Sequence, residues 1–230
     1  MKAVILCGGK GTRIRGAVAD APKPLLDIAG RPLVHRLMDH FAESNYKSFI
    51  LCLGHRGSEI RDYFDHADVP SDWNVELVDT GEETMTGGRL WQVRDLLQEP
   101  FFLCYGDALS DVDLSKLVEF HSGHGKIATL TTVHPRSDYG LLDLDGAGCV
   151  RSFREKDVQQ NQWINAGFFV MDKAVFEYLN DDVNLILERQ PLEKLAAVSE
   201  LMAFKHDGFW KSMETYRDWL DLDERFRANS

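Results

Sequence analysis

The sequence predicts an α/β fold: a mixed, mainly parallel sheet flanked by helices, with a small antiparallel portion. Three observations lead there. Up to about residue 121, short apolar, β-branched runs alternate with segments of helical periodicity, the pattern of right-handed βαβ units. Beyond that point strand-like runs follow one another with turns between them and little helix, which reads as the antiparallel part of a mixed sheet. A glycine-rich stretch also stands directly after the first apolar run, where open α/β sheets bind their ligands.

The elements follow in order. Lys2–Leu6 is apolar and β-branched, and Gly8, Gly9 and Gly11 come at once after it, so a buried strand runs into a loop. After Gly30-Arg31-Pro32, apolar residues at Leu33, Val34, Leu37, Met38 and Phe41 fall on one helical face. Residues 49–53 are strand-like, and Ser58 is placed to cap a helix over 58–64. Residues 75–79 predict the next strand, 88–97 a helix, and Phe101–Tyr105 another buried strand. Asp113 caps the helix that follows, with Val112 and Leu117 set as a hydrophobic staple. Ala128–Val133, Leu141–Leu144, residues 150–153 and Ile164–Met171 read as strands. Short helices over 173–179 and 191–198, the strand Leu201–Lys205 and a helix from Thr215 complete the chain. No repeat or linker interrupts residues 1–230, which predicts one domain with an N-terminal half (about 1–121) and a C-terminal half (about 122–230).

Composition narrows the function. Hydrophobic residues make up 44% and charged residues 27%, as in soluble globular proteins. A net charge of −11 repels nucleic acid and anionic membranes, so neither is an expected partner. No apolar run approaches the roughly 20 residues that span a bilayer. Cys7, Cys52, Cys104 and Cys149 lie far apart with no CxxC pair. With no signal peptide in view, this predicts reduced thiols and a cytoplasmic location.

The loop Leu6-Cys7-Gly8-Gly9-Lys10-Gly11-Thr12-Arg13 places three glycines within four residues. Such a backbone can turn its amides inward as a nest for phosphate oxygens. Lys10, Arg13 and Arg15 add positive charge, and Lys23 stands between two prolines, which hold it on a stiff segment. Neither the G-x-x-x-x-G-K-[ST] spacing nor the dinucleotide G-x-G-x-x-G is present, which argues against kinases and nicotinamide oxidoreductases. Asp107 ends a buried strand in Tyr105-Gly106-Asp107; a carboxylate there reads as a turn former or as a magnesium ligand. His121 and His124 are three apart, and with a neighbouring glycine and no nearby cysteine they read as a solvated helix end rather than a zinc site.

Taken together, these residues resemble the sugar nucleotidyltransferases, whose opening pattern of strand, G-G-x-G-T-R and a K-P pair is matched by Gly8, Gly9, Gly11, Thr12, Arg13, Lys23 and Pro24. The likeness runs essentially from end to end. It implies the Rossmann-like nucleotide-diphospho-sugar transferase fold and a reaction joining a nucleoside triphosphate to a sugar 1-phosphate, with release of pyrophosphate. The loop from Leu6 and Cys7 onward would hold the nucleotide, and Arg13 and Lys23 would be catalytic. Asp107 matches the family's metal-binding aspartate for Mg²⁺, and Glu214 stands at the second metal ligand, one methylene longer than the usual residue.

The string Thr84-Met85-Thr86-Gly87-Gly88-Arg89-Leu90 looks like the glucose-1-phosphate cytidylyltransferases in particular, which favours CTP. In that reading the glycines, Gly88 among them, admit a planar base beside Thr84, and Arg89 holds phosphate bidentately. Tyr139, Gly140, Glu155, Lys156, Asn165 and Gly167 match the sugar 1-phosphate pocket, although Ala166 and Asp157 replace a more usual glycine and proline. Relatives of this kind are commonly homo-oligomers, and the stretch 65–73 is shorter here than in the cytidylyltransferases. The alternatives are a guanylyl-, uridylyl- or thymidylyltransferase for another sugar 1-phosphate, or a non-catalytic sugar-nucleotide-binding regulatory protein.

Overall fold

A computed structural model describes residues 1–11, 20–98, 100–137, 139–155, 157–159 and 162–228. The strands are β1 (Lys2–Leu6), β2 (Asp27–Ile28), β3 (Arg31–Pro32), β4 (Ser48–Leu53), β5 (Asn74–Asp79), β6 (Phe101–Tyr105), β7 (Ala108–Ser110), β8 (Ala128–Val133), β9 (Leu141–Leu144), β10 (Val150–Arg154), β11 (Ile164–Met171), β12 (Leu201–Lys205) and β13 (Trp210–Ser212). The α-helices are α1 (Leu33–Glu43), α2 (Gly57–His66), α3 (Thr86–Gln92), α4 (Leu114–His124), α5 (Gln190–Ala197) and α6 (Tyr216–Ala228). Tighter 3-10 turns form at Lys23–Leu25, Arg94–Leu96 and Lys173–Tyr178.

Seven strands form one sheet in the order β12-β8-β11-β6-β1-β4-β5. β6, β1, β4 and β5 run parallel, and β12 is parallel to β8. β11 is antiparallel to both its neighbours, β6 and β8. The antiparallel portion therefore lies inside the main sheet as well as in the separate β9–β10 ribbon.

Alternate residues of the central strands face opposite sides, and both sides are covered. Ala3, Ile5, Phe49, Leu51, Phe102 and Phe168 pack with the α1 residues Leu33, Leu37, Met38 and Phe41. Val4, Ile50, Leu103, Phe169 and Met171 pack with Leu90 of α3 and Leu195 of α5. Strands buried on both faces explain the near-continuous apolar runs seen in the sequence.

Several local expectations need correction. Helix α2 starts before Ser58, because Arg56 takes the cap position in a left-handed conformation (φ 54) and makes no side-chain cap bond. The expected helix over 88–97 begins at Thr86, stops at Gln92 and tightens into a 3-10 turn. The helix expected over 173–179 is likewise 3-10 rather than α, from Lys173 to Tyr178. Asp113 caps as expected: its carboxylate accepts from the Lys116 amide at 3.0 Å, and Val112 and Leu117 are buried in one cluster. The two-stranded pairs β2–β3 and β7–β13 were not foreseen.

Candidate active site

The carboxyl ends of β1 and β6 meet through an amide of Gly106 that donates to the Leu6 carbonyl at 3.1 Å. A Cβ on Gly106 would stand 2.6 Å from that carbonyl oxygen, so only glycine lets the chain turn here and deliver Asp107 beside the loop. The β7–β13 pair then sets Glu214 next to Asp107. Ser212 lies opposite Ala108, and the Met213 amide donates to the Asp107 carbonyl at 2.8 Å. Asp218, in the first turn of α6, fixes the exit by accepting from the amides of Glu214 (3.1 Å) and Thr215 (2.8 Å).

Lys23 points into the same place. Its ammonium donates to Asp107 Oδ2 at 2.9 Å and Glu214 Oε1 at 3.4 Å. The Lys23 stem lies along Gly11, whose φ of +55 and lack of a side chain let the two approach. A cavity of about 610 Å³ opens here, walled by Leu6, Cys7, Gly8, Gly9, Gly11, Lys23, Thr84, Arg89, Asp107 and Glu214. That volume suits a small-molecule ligand. Thr12, Arg13 and Lys156, which the sequence assigns to the site, lie outside the described residues.

The two predicted metal ligands thus converge on the Lys23 ammonium. Among the described residues no group of three or more His, Cys, Asp or Glu could hold a metal. Two carboxylates do suit Mg²⁺, which takes one or two of them and completes its shell with phosphate oxygens and water. The residues present fit such an ion.

Two nucleotide assignments change. Arg89 reaches the cavity wall but is 4% exposed, and protein acceptors occupy its fork. It donates to the Leu53 carbonyl (2.7 Å), Thr80 Oγ1 (2.6 Å), the Gly8 carbonyl (3.1 Å) and the Glu82 carbonyl (3.2 Å). Arg89 is therefore a clamp holding the glycine loop to β4 and to the 80–82 turn, not a bidentate phosphate ligand. Gly88 does not line the cavity: a Cβ there would meet the Asp182 carbonyl oxygen at 2.9 Å, so its role is to let the 182–185 segment pack closely. Lys10, at the mouth, is paired with Glu83 at 2.7 Å.

Glu188 is a cavity residue that the sequence reading did not identify. The Tyr105 hydroxyl donates to its Oε1, and the Thr86 hydroxyl donates to its Oε2 at 2.6 Å. Asn165 donates to the Tyr105 oxygen at 3.1 Å and accepts from the Gly167 amide at 2.9 Å. Burial, and then the Glu188 charge, push the Tyr105 phenol far above its ordinary range, so it stays a donor. Asn165 and Gly167 (φ +79, against the Tyr105 ring) are thereby tied to the cavity. Nothing local marks Glu188, which lies in a mostly exposed, acid-rich stretch; only the fold brings Thr86 and Tyr105 to it.

Tyr139, Gly140 and Glu155, which the sequence assigns to the sugar, lie together at the β9–β10 ribbon and do not line the cavity. A Cβ on Gly140 would meet the Phe153 ring at 2.6 Å and Glu155 Oε2 at 3.1 Å, and Tyr139 is 80% exposed. His121 and His124 both face the Thr129 hydroxyl, at 2.9 and 2.7 Å, and His121 is buried rather than at a solvated helix end.

A family model described as nucleotidyl transferase matches residues 2–223. Glucose-1-phosphate cytidylyltransferase of Salmonella typhi is 40% identical over 245 residues, covering 97% of this chain and 95% of that protein. The probable glucose-1-phosphate cytidylyltransferase of Bacillus subtilis is 36% identical over 244 residues, with the same coverage of 97% and 95%. Among solved structures, HddC from Yersinia pseudotuberculosis superposes with a TM-score of 0.77 at 26% identity, covering 98% of this chain and 99% of that one. HddC complexed with GMP-PN gives 0.76.

Proposed function

The chain belongs to the nucleotidyl transferase family, and from that premise we propose that it transfers a cytidylyl group from CTP to glucose 1-phosphate, giving CDP-glucose and pyrophosphate. The observation that carries this reading is the convergence of Lys23, Asp107 and Glu214 beside the glycine loop, in a chain 40% identical to a glucose-1-phosphate cytidylyltransferase.

In the proposed reaction a phosphate oxygen of the sugar 1-phosphate attacks the α-phosphorus of CTP. A new P–O bond forms there, the bond to the β-phosphate oxygen breaks in line, and pyrophosphate takes the electron pair. No covalent enzyme intermediate is needed. The loop amides around Gly8, Gly9 and Gly11 orient the triphosphate, and the Arg89 clamp keeps that loop in place. The ammonium of Lys23, with the guanidinium of Arg13 assigned by the motif, offsets charge on the transferring phosphoryl group. Asp107 and Glu214 would hold a divalent ion such as Mg²⁺, which supplies further charge neutralisation to the phosphate oxygens.

On the sugar side, Glu188, braced by Tyr105 and Thr86, offers acceptor oxygens for hydroxyls. Asn165 and Gly167 orient that brace, Tyr139, Gly140 and Glu155 would approach the sugar from the ribbon, and Lys156 is assigned to the sugar phosphate by the motif. In this reading residues 1–121 hold the nucleotide and 122–230 the sugar phosphate, and a single sheet that draws strands from both stretches supports treating them as one domain.

The decisive measurement is pyrophosphate release with CTP, GTP, UTP and dTTP, each against glucose 1-phosphate and other sugar 1-phosphates. CTP with glucose 1-phosphate is expected to give the highest kcat/KM; if CTP is the poorest donor, the base assignment is wrong. A guanylyl reading is the second choice, favoured by the likeness to a structure complexed with GMP-PN, and the same panel decides it.

Four unpaired cysteines, three of them buried, support a cytoplasmic location, and among the described residues no helix is long and apolar enough to cross a membrane. A homo-oligomer, common among relatives of this kind, is read by sedimentation.

A further inference from the structure

Lys23 holds the point on which Asp107 and Glu214 converge. Its side chain is 11% exposed, against 34% and 37% for the two carboxylates it joins. The root of the side chain is fixed. Lys23 opens the 3-10 turn after Pro22, the adjacent Pro24 is buried, and Gly11 packs on its Cβ. The head is not fixed, because a lysine ammonium is a compact charge on a flexible four-carbon stem. The loop that would cradle the triphosphate runs along that stem and walls the same cavity.

We propose that Lys23 is a built-in counter-ion that couples divalent-metal loading to nucleotide binding. This rests on the metal role proposed for Asp107 and Glu214. Two carboxylates sharing a site repel each other, and the ammonium between them relieves that repulsion. A divalent ion arriving alone has to displace a part-buried ammonium from both of the carboxylates it pairs with among the described residues. When a triphosphate is present, the released ammonium finds a phosphate oxygen beside Gly11. Lys23 thus leaves the carboxylates and reaches the phosphate in one swing. Metal and nucleotide strengthen each other's binding by the same factor, as linkage requires.

The test is a Mn²⁺ titration of the full chain, with the free ion read by electron paramagnetic resonance. It is run with and without a non-hydrolysable CTP analogue and corrected for Mn²⁺ held by the free analogue. The wild type should bind Mn²⁺ weakly alone and about 10-fold or more tightly with the analogue, within the usual range of coupling. Lys23→Met should bind Mn²⁺ alone several-fold more tightly than the wild type, gain less from the analogue than the wild type does because only direct metal–phosphate contact remains, and still lose turnover. Lys23→Arg, whose fork grips carboxylates, should bind Mn²⁺ alone more weakly than the wild type. Unchanged or weaker Mn²⁺ affinity in Lys23→Met without the analogue overturns the inference. Asp107→Asn separates this from the parent reading. If it abolishes Mn²⁺ binding while Lys23→Met behaves as wild type, only the coupling role fails. If it leaves Mn²⁺ binding intact, the metal site fails and the coupling with it.

Discussion

At Arg89 a single guanidinium serves four protein acceptors, and two glycines make room for it. A Cβ on Gly8 or Gly54 would stand 2.2 or 2.5 Å from its atoms. Arg89→Lys keeps the charge but loses the fork and strands buried carbonyls, so urea unfolding should show a loss of about 2–4 kcal/mol. Gly8→Ala should raise the KM for the triphosphate at least about 10-fold in a pyrophosphate-release assay, because the loop must shift by about 1 Å to clear the guanidinium. Glu188→Gln should raise the KM for the sugar 1-phosphate by about 10-fold and leave that for CTP unchanged, the loss expected of one acceptor to a bound hydroxyl. If both constants rise together, Glu188 is not a sugar contact. Lys23 and Asp107 could be singled out in the sequence because each sits in a short motif, Lys23 between two prolines and Asp107 after Gly106 at the end of β6. Arg89 was misread because a motif shows that a cation is present, not that carbonyls from three other segments already occupy it. Glu188 was invisible for the complementary reason: its partners Tyr105 and Thr86 are 83 and 102 residues away.

At the scale of elements, α1 and α2 meet around His35, which is 2% exposed. The Tyr63 hydroxyl shares a hydrogen bond with its Nδ1 at 3.2 Å, and the rings of Phe64 and Trp73 pack edge-on against it. Burial, with Arg31 adding to it and Asp39 opposing, pulls the imidazole down to about 4 from 6.5. Between those two values the unfolded chain takes up a proton that the native histidine refuses. The stabilisation is therefore complete above pH 6.5, falls as the pH drops toward 4, and levels off below. Its span for this residue is on the order of 3 kcal/mol. Urea midpoints followed from pH 7 to 4 should decline, and His35→Gln should flatten the slope; His40, also shifted down by burial, accounts for part of the rest. An identical slope in the variant would mean that His35 does not titrate with unfolding. The long strands and α1 were readable from periodicity alone. The pairs β2–β3 and β7–β13 were not, since strands of two or three residues carry no period. The start of α2 was misjudged because a capping serine competes with a left-handed Arg56 that no propensity anticipates.

Across the whole molecule, the cavity draws its walls from both halves of the chain: Gly8 to Gly11 and Asp107 from one, Glu188 and Glu214 from the other. A ligand seated there braces the native state and nothing in the unfolded one. CTP with Mg²⁺ at 100 times its dissociation constant should add about 2.7 kcal/mol of stability and raise Tm by about 5–10 °C, and Asp107→Asn should lose most of that shift. No change in Tm for the wild type under those conditions would separate this cavity from nucleotide binding. The alternation of strands and helices told the fold class. It did not tell that β11 would enter the sheet between β6 and β8, because a buried strand reads the same whichever neighbours it takes.

That insertion also sets a timetable. Tyr105 and its neighbour Asn165 are 60 residues apart, so at ordinary synthesis rates of 5–20 residues per second β6 leaves the ribosome about 3–12 s before β11. Through that interval β6 is a bare sheet edge carrying Phe101, Phe102 and Leu103, with open amides and carbonyls that any other nascent chain could pair with. The protein's vulnerable moment is thus in the making rather than in the finished enzyme, and slowing translation between residues 106 and 164 should lower its soluble yield even though not one amino acid has changed.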